Sequence, residues 1–136
     1  MVPANYVEFA NYNRWMNGKI LGAASKLKAK ERRRDLGAFF GSIHQTLTHI
    51  LVTDRAWLAR LTGEPGQFRF EDAEGNQIAV VSGTQDIFSE FPDLLRARDE
   101  TDSRILDFAN TLTTARLEEH IRYRDTAGVS CDHPTW

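Results

Sequence analysis

Residues 41–61, GSIHQTLTHILVTDRAWLARL, decide the fold of this chain. At about 100° per residue, the apolar side chains of this stretch project within one broad face, which predicts an amphipathic helix packed on a core. They are Ile43, Leu47, Ile50, Leu51, Trp57, Leu58 and Leu61. Ser42 is a suitable N-cap, and Gly63 with Pro65 shortly after it is a suitable stop. We therefore expect the helix to end at about residue 62.

One histidine of this helix, His49, lies off the apolar face. Its neighbours at helical spacings are small or polar, namely Thr46, Thr53 and Ala56, so a pocket could open along this strip. His44 lies five residues away, about 140° around the helix, whereas two helical histidines that share one ion need a spacing of four. His49 is then either a hydrogen-bonded structural residue, the commoner role of a helical histidine, or a single metal ligand.

A carboxylate, Asp54, projects toward the centre of the same apolar face. A buried carboxylate needs a partner. We expect Asp54 to be hydrogen-bonded in the interior, to Arg55 or an indole nitrogen, or else to mark a second contact surface.

Length and composition indicate a single water-soluble domain spanning residues 1–136. A chain of 136 residues can bury about two thirds of its surface, and a net charge of -2 with 41% hydrophobic residues is ordinary for a globular protein. The charge balance argues against a nucleic-acid partner. No apolar run is long enough for a membrane span, and the single cysteine, Cys131, agrees with a reducing cytoplasm. We predict a cytoplasmic protein with no membrane or nucleic-acid partner.

Two further long helices are predicted. Apolar residues recur at spacings of three and four over residues 5–28, which predicts the first of these helices. The same spacing predicts another helix that begins between residues 86 and 92 and ends at about residue 112. On the latter helix we expect Asp99, Glu100 and Asp102 to face solvent. Between the second and third helices, residues 64–84 combine glycines with short β-prone runs, which predicts a structured loop or small hairpin.

After the third helix, LEEHIRYRDTAG (residues 117–128) alternates weakly and predicts a short extended segment, and VSCDHPTW carries no pattern. The basic run KLKAKERRR at residues 26–34 could bind phosphate, but a solvated helix end that complements the helix dipole is the favoured interpretation. Cys131 and His133 have the spacing of a metal pair, although a free thiol is favoured.

A substitute ligand for a metal at His49 would have to come from elsewhere in the chain. His120 lies beside Glu118 and Glu119, so a set of His120, a carboxylate and His49 is chemically feasible. An exposed His120 paired with the adjacent acids is the favoured interpretation. The sequence contains neither a nucleophile motif such as G-x-S-x-G nor a phosphate-binding glycine loop, so no catalytic residue is assigned.

Three segments together resemble the DinB family: NYNRWMN in the first helix, GSIHQTLTHILVTDRAWLARLTG in the second and RARDETDSRILDF in the third. The resemblance covers about residues 5–127. It implies an all-α fold, an up-down helical bundle with three long helices in this chain. The fourth helix of that bundle is expected to be truncated or missing after Trp136.

The resemblance also implies a metal site. In the family, the counterpart of His49 coordinates a divalent ion, commonly zinc or nickel, together with two histidines four residues apart on the last helix. This chain reaches DHPTW where that helix would start, so we expect an incomplete site with His49 as the metal ligand supplied here.

Two functional hypotheses follow from the resemblance. The first is a divalent-metal-binding protein similar to the metal- and thiol-dependent transferases and hydrolases of the family, in which the ion lowers the pKa of a bound thiol or water. The second is a non-catalytic, metal-free helical homodimer, a truncated or degenerate member of the family. In either case we expect a homodimer, since a second copy would cover the apolar surface left by an absent helix.

Overall fold

The computed structural model describes residues 2–136, and within that range the fold consists of three long helices, two short ones and two antiparallel hairpins. The helices are α1 (Pro3–Ser25), α2 (Ala29–Arg32), α3 (Ile43–Thr62), α4 (Phe91–Thr111) and α5 (Thr114–Glu118). The strands are β1 (Phe70–Glu71), β2 (Gln77–Ile78), β3 (His120–Arg124) and β4 (Ser130–Pro134), and a 3-10 turn, Pro65–Phe68, follows α3.

The prediction of an all-α fold is wrong, because the chain also forms two β-hairpins. β1 pairs with β2 inside the predicted loop, and β3 pairs with β4 after the third long helix. In β3 the inward positions Ile121 and Tyr123 alternate with exposed residues, the period of two that a half-buried strand requires. Gly128, with φ of 80°, allows the chain to reverse into β4. The extended segment was predicted, but its partner strand was not.

The ends of α3 are those that the sequence predicts. Ser42 Oγ accepts a hydrogen bond from the backbone N–H of Gln45 at 3.0 Å, which satisfies one of the free donors of the first turn. Gly63 ends the helix in the left-handed region with φ of 70°, where a side chain would be strained. Local chemistry therefore fixes the position of this helix along the chain.

The predicted core face of α3 is only partly correct. Leu51 and Leu58 are buried, but Ile50 and Trp57 remain 43% and 36% exposed. Their places inside are taken by polar side chains, chiefly His44 and Arg55, which are 1% and 3% exposed. Both are satisfied by backbone carbonyls far along the chain, because a buried polar group needs a partner.

A buried ion-pair network joins α1, α3 and α4. Arg98 of α4 contacts Asp54 of α3 and Asp102 of its own helix, each at 2.7 Å. Asp102 also accepts a hydrogen bond from Asn17 of α1 at 2.9 Å and from Asn13 at 3.4 Å. The prediction that Asp102 faces solvent is wrong, since it is 4% exposed. Asp54, whose side chain is 30% exposed, accepts a hydrogen bond from Arg98, and not from Arg55 or an indole nitrogen as expected.

Around this network lies an apolar core. Its buried members come from α1, α3, α4 and the segments that precede α4, namely Leu21, Ala24, Leu51, Val52, Phe70, Ile87, Phe88, Phe91 and Leu94. None of the helices in the described part of the chain is long and apolar enough to cross a membrane.

The basic run at residues 26–34 is not simply a solvated helix end. Arg33 donates to the carbonyl of Phe88 at 2.9 Å and pairs with Asp86 at 2.6 Å. The Arg32 guanidinium lies 4.1 Å from the centre of the Phe91 ring. Through these contacts, the two arginines link the connection between α1 and α3 to the segment at the start of α4.

Candidate functional site

A cleft of about 750 Å³ runs along the strip of α3 on which His49 lies. A pocket therefore opens along this strip, as the small and polar neighbours of His49 predicted. Its volume falls within the range of about 300–1,000 Å³ typical of small-molecule sites. Residues of α3, the 3-10 turn, the loop before α4 and the hairpin β3–β4 line it, namely His49, Val52, Thr53, Ala56, Trp57, Ala59, Arg60, Gly63, Pro65, Phe68, Val80, Val81, Ser82, Gly83, Arg122 and Thr126.

His49 is held in one orientation at one end of this cleft. Its Nδ1 lies 2.6 Å from the carbonyl oxygen of Gly83, and because a carbonyl only accepts, Nδ1 carries the proton of the neutral ring. The ring stacks on Phe40, with centroids 3.9 Å apart and planes 24° apart. Nε2, 3.4 Å from the hydroxyl of Thr53, is then the nitrogen that keeps a lone pair for a ligand.

The other histidines are not brought to this end of the cleft. His44 is buried against the Phe88 carbonyl, with Nε2 at 2.7 Å from the oxygen. His120 pairs across the hairpin with Asp132 at 2.5 Å, not with the adjacent glutamates as expected. His133 Nε2 lies 3.2 Å from the Tyr123 hydroxyl. The combination of His49 with His120, which the sequence left feasible but did not favour, is therefore not formed.

The side chains at this end of the cleft supply one metal ligand, His49, and not a complete metal site. Within residues 2–136, no group of three or more His, Cys, Asp or Glu side chains is placed to hold an ion. A catalytic zinc takes about three protein ligands and keeps one position open. His49 supplies one such ligand, so no metal-dependent step is derived from these residues.

At the opposite end of the cleft, Arg60 lies between two aromatic rings. Its guanidinium carbon is 4.8 Å from the centre of Trp57 and 4.5 Å from that of Tyr123. A second arginine, Arg122, also lines the cleft but pairs with Asp132 at 2.8 Å. This hydrogen bond raises the pKa of Arg122 and lowers the pKa of Asp132.

The family model for the DinB family matches residues 1–133. The chain belongs to the DinB family. The resemblance drawn from the three helical segments is thereby confirmed. No match was found among curated proteins or among solved structures.

In this DinB-family protein, sequence reasoning located the strip of the cleft but missed its far end. Arg60 follows His49 by eleven residues, which places it only about 20° further around the helix and roughly 16 Å further along it. That spacing could have placed Arg60 on the cleft from the sequence, because it continues the strip that runs from His49 through Thr53 and Ala56. The carbonyl of Gly83 and the ring of Phe40 left no signal, since they reach His49 only through tertiary contacts.

Proposed function

We propose that this DinB-family protein binds a small molecule in the α3 cleft, and that His49 Nε2 is a ligand of a divalent ion, zinc or nickel, at one end of that cleft. The hydrogen bond from His49 Nδ1 to the Gly83 carbonyl carries the proposal. Metal-binding histidines almost always donate their other ring N–H to a carbonyl, carboxylate or water. Such a bond fixes the tautomer and raises the basicity of the nitrogen that meets the ion.

Since His49 is one ligand, the remaining positions on the ion would be filled by water, by the bound small molecule or by groups outside the cleft lining. An ion held in this way lowers the pKa of a thiol or water bound to it. A metal- and thiol-dependent transferase or hydrolase activity, as the family resemblance implies, remains a prediction.

Metal content tests the proposal. Equilibrium dialysis of the purified protein against zinc or nickel chloride measures the ion bound per chain, beside His49→Ala and the control His120→Ala. We expect bound ion in the wild type and in His120→Ala, and its loss in His49→Ala. His120 is an exposed histidine outside the cleft, so the control separates a site from adventitious binding. Equal metal in all three proteins, or none in the wild type, would overturn the proposal.

A second candidate is the metal-free helical homodimer, favoured by a row of exposed aromatic residues on α1. Phe9, Tyr12 and Trp15 are 56%, 61% and 57% exposed, at spacings of three that keep them on one side of the helix. Aromatic residues clustered on a surface are typical of protein interfaces. This row would be the contact with a second copy of the chain.

Light scattering after size exclusion measures the mass directly. We expect a dimer for the wild type and a monomer for Tyr12→Glu, because a buried, unpaired carboxylate is costly at an interface. Val129→Glu makes the same kind of change on the exposed turn between β3 and β4 and should remain dimeric. A wild-type monomer across the accessible concentration range would exclude the dimer.

We also propose a cytoplasmic location. Cys131 is a free thiol in the described chain, the state that a reducing compartment maintains. Fractionation of cells that express the tagged protein would test the location, and recovery in a secreted or periplasmic fraction would contradict it.

A further inference from the structure

We infer that the ligand of the α3 cleft is a monoanionic amphipathic small molecule, a carboxylate with an apolar body, and that Arg60 binds its carboxylate. This inference rests on the proposed function in one respect, that the same cleft is the ligand site. It does not depend on a metal at His49, since Arg60 lies at the opposite end.

Arg60 is held in place, but no partner for its charge is found among the described residues. The rings of Trp57 and Tyr123 lie on the guanidinium at 4.8 and 4.5 Å, an arrangement that attracts the cation and limits its rotamers. Within residues 2–136, no carboxylate is in salt-bridge contact with Arg60, whereas Arg122 beside it pairs with Asp132. An immobilised guanidinium with free N–H groups is suited to a carboxylate, which it can bind through two parallel hydrogen bonds.

The charge of the cleft favours a ligand with a single negative charge. No Asp or Glu is among the described residues that line it, and its positive side chains are Arg60 and Arg122. Because Arg122 already pairs with Asp132, Arg60 is the cation of this lining that has no carboxylate partner within residues 2–136. A carboxylate balances that charge, whereas a phosphate monoester would bring a charge of about -1.5 to -2.

The rest of the cleft is suited to an apolar body. Between Arg60 and His49 the lining is formed mainly by aliphatic and aromatic side chains, among them Val52, Ala56, Phe68, Val80 and Val81. Apolar area removed from water is the main source of affinity in such a site. Since Arg60 and His49 lie roughly 16 Å apart along the helix axis, a ligand whose carboxylate contacts Arg60 extends its apolar part toward His49.

Calorimetric titration with three ligands of the same chain length tests the inference. Octanoate, 1-octanol and octylammonium chloride differ in charge and contain eight carbons each, and all are used below micelle-forming concentrations. We expect octanoate to bind most tightly and octylammonium most weakly. Octanol binding as tightly as octanoate would overturn the role assigned to the charge.

Variants then locate the carboxylate. Arg60→Gln should weaken octanoate about tenfold or more, the usual effect of one hydrogen bond to a charged group, and leave octanol within about twofold. Arg60→Lys should retain part of the affinity, because the charge remains while the planar fork is lost. Arg34→Gln makes the same change of charge at an exposed arginine outside the cleft and should have no effect. Unchanged octanoate affinity in Arg60→Gln would overturn the inference.

His49→Ala separates this inference from the metal proposal. We expect this variant to lose the ion and to bind octanoate more tightly than Arg60→Gln does, whereas Arg60→Gln should lose octanoate affinity and keep the ion. If octanoate affinity falls in His49→Ala and not in Arg60→Gln, the carboxylate is bound at the His49 end and the inference is wrong. If octanoate behaves as expected and no protein binds metal, the metal proposal fails alone.

Discussion

Removal of Asp102 should destabilise the fold far more than removal of Asp99, three residues earlier on the same helix. Asp102 pairs with Arg98 at 2.7 Å, and the two side chains are 4% and 5% exposed. Asp99 pairs with Arg14 at 3.5 Å, with side chains that are 75% and 48% exposed. The two carboxylates therefore make the same kind of contact in opposite environments, and each serves as the reference for the other.

The expected free-energy changes follow from burial. Deleting one partner of a buried ion pair costs about 3–5 kcal/mol, because the other charge is left without compensation. Arg98 keeps a second partner in Asp54 at 2.7 Å, so the lower end of that range, about 3 kcal/mol, applies to Asp102→Ala. For Asp99→Ala we expect about 0.5 kcal/mol or less, since exposed ion pairs contribute little. In a chain of this size, about 3 kcal/mol corresponds to a fall in Tm of about 10 °C.

Urea denaturation followed by circular dichroism measures both variants against the wild type. If the free energy of unfolding falls with urea concentration at the same slope in all three proteins, the differences between their midpoints report differences in stability. If Asp102→Ala lies within about 1 kcal/mol of the wild type, or if the two variants are equally destabilised, the buried network does not hold the three long helices together and the reasoning is refuted.

Three further measurements test other parts of the structure. Arg55→Met should destabilise the fold by about 2 kcal/mol in urea denaturation, because it leaves the carbonyls of Gln67 and Arg69 without their donor. Burial lowers the pKa of Arg55 to about 10, so Arg55 is charged at neutral pH. The cost of the substitution should therefore not vary between pH 6 and 8. Ser42→Ala should cost about 1 kcal/mol through loss of the α3 N-cap, and Ser42→Asp should restore it. Burial also raises the pKa of Asp102 above 3.8, so the folded chain binds more protons than the unfolded chain just above that pH. The free energy of unfolding should therefore fall as the pH rises through this window, and thermal melts of Asp102→Asn should lack that part of the slope.

The two ends of the cleft differ in how much of them was predictable. His49 and its strip follow from helical spacing, which is a local property, and the caps at Ser42 and Gly63 fix where the helix begins and ends. Arg60 continues the same strip, so its place on the cleft was accessible to the same argument. The role proposed for Arg60 was not accessible, because the two aromatic rings around it, and the lack of a carboxylate partner within residues 2–136, become visible only in the folded chain.

The sequence by itself determined the long helices, the membership in the DinB family and the strip on which His49 lies. Each depends on residues close together in the chain, where periodicity and capping chemistry act directly. Only the tertiary structure decided that His44, Arg55 and Asp102 are buried, and that His49 Nδ1 donates to the Gly83 carbonyl. Those outcomes depend on partners such as the Phe88, Arg69 and Gly83 carbonyls, which satisfy a buried polar group from a distance in sequence that no local pattern encodes.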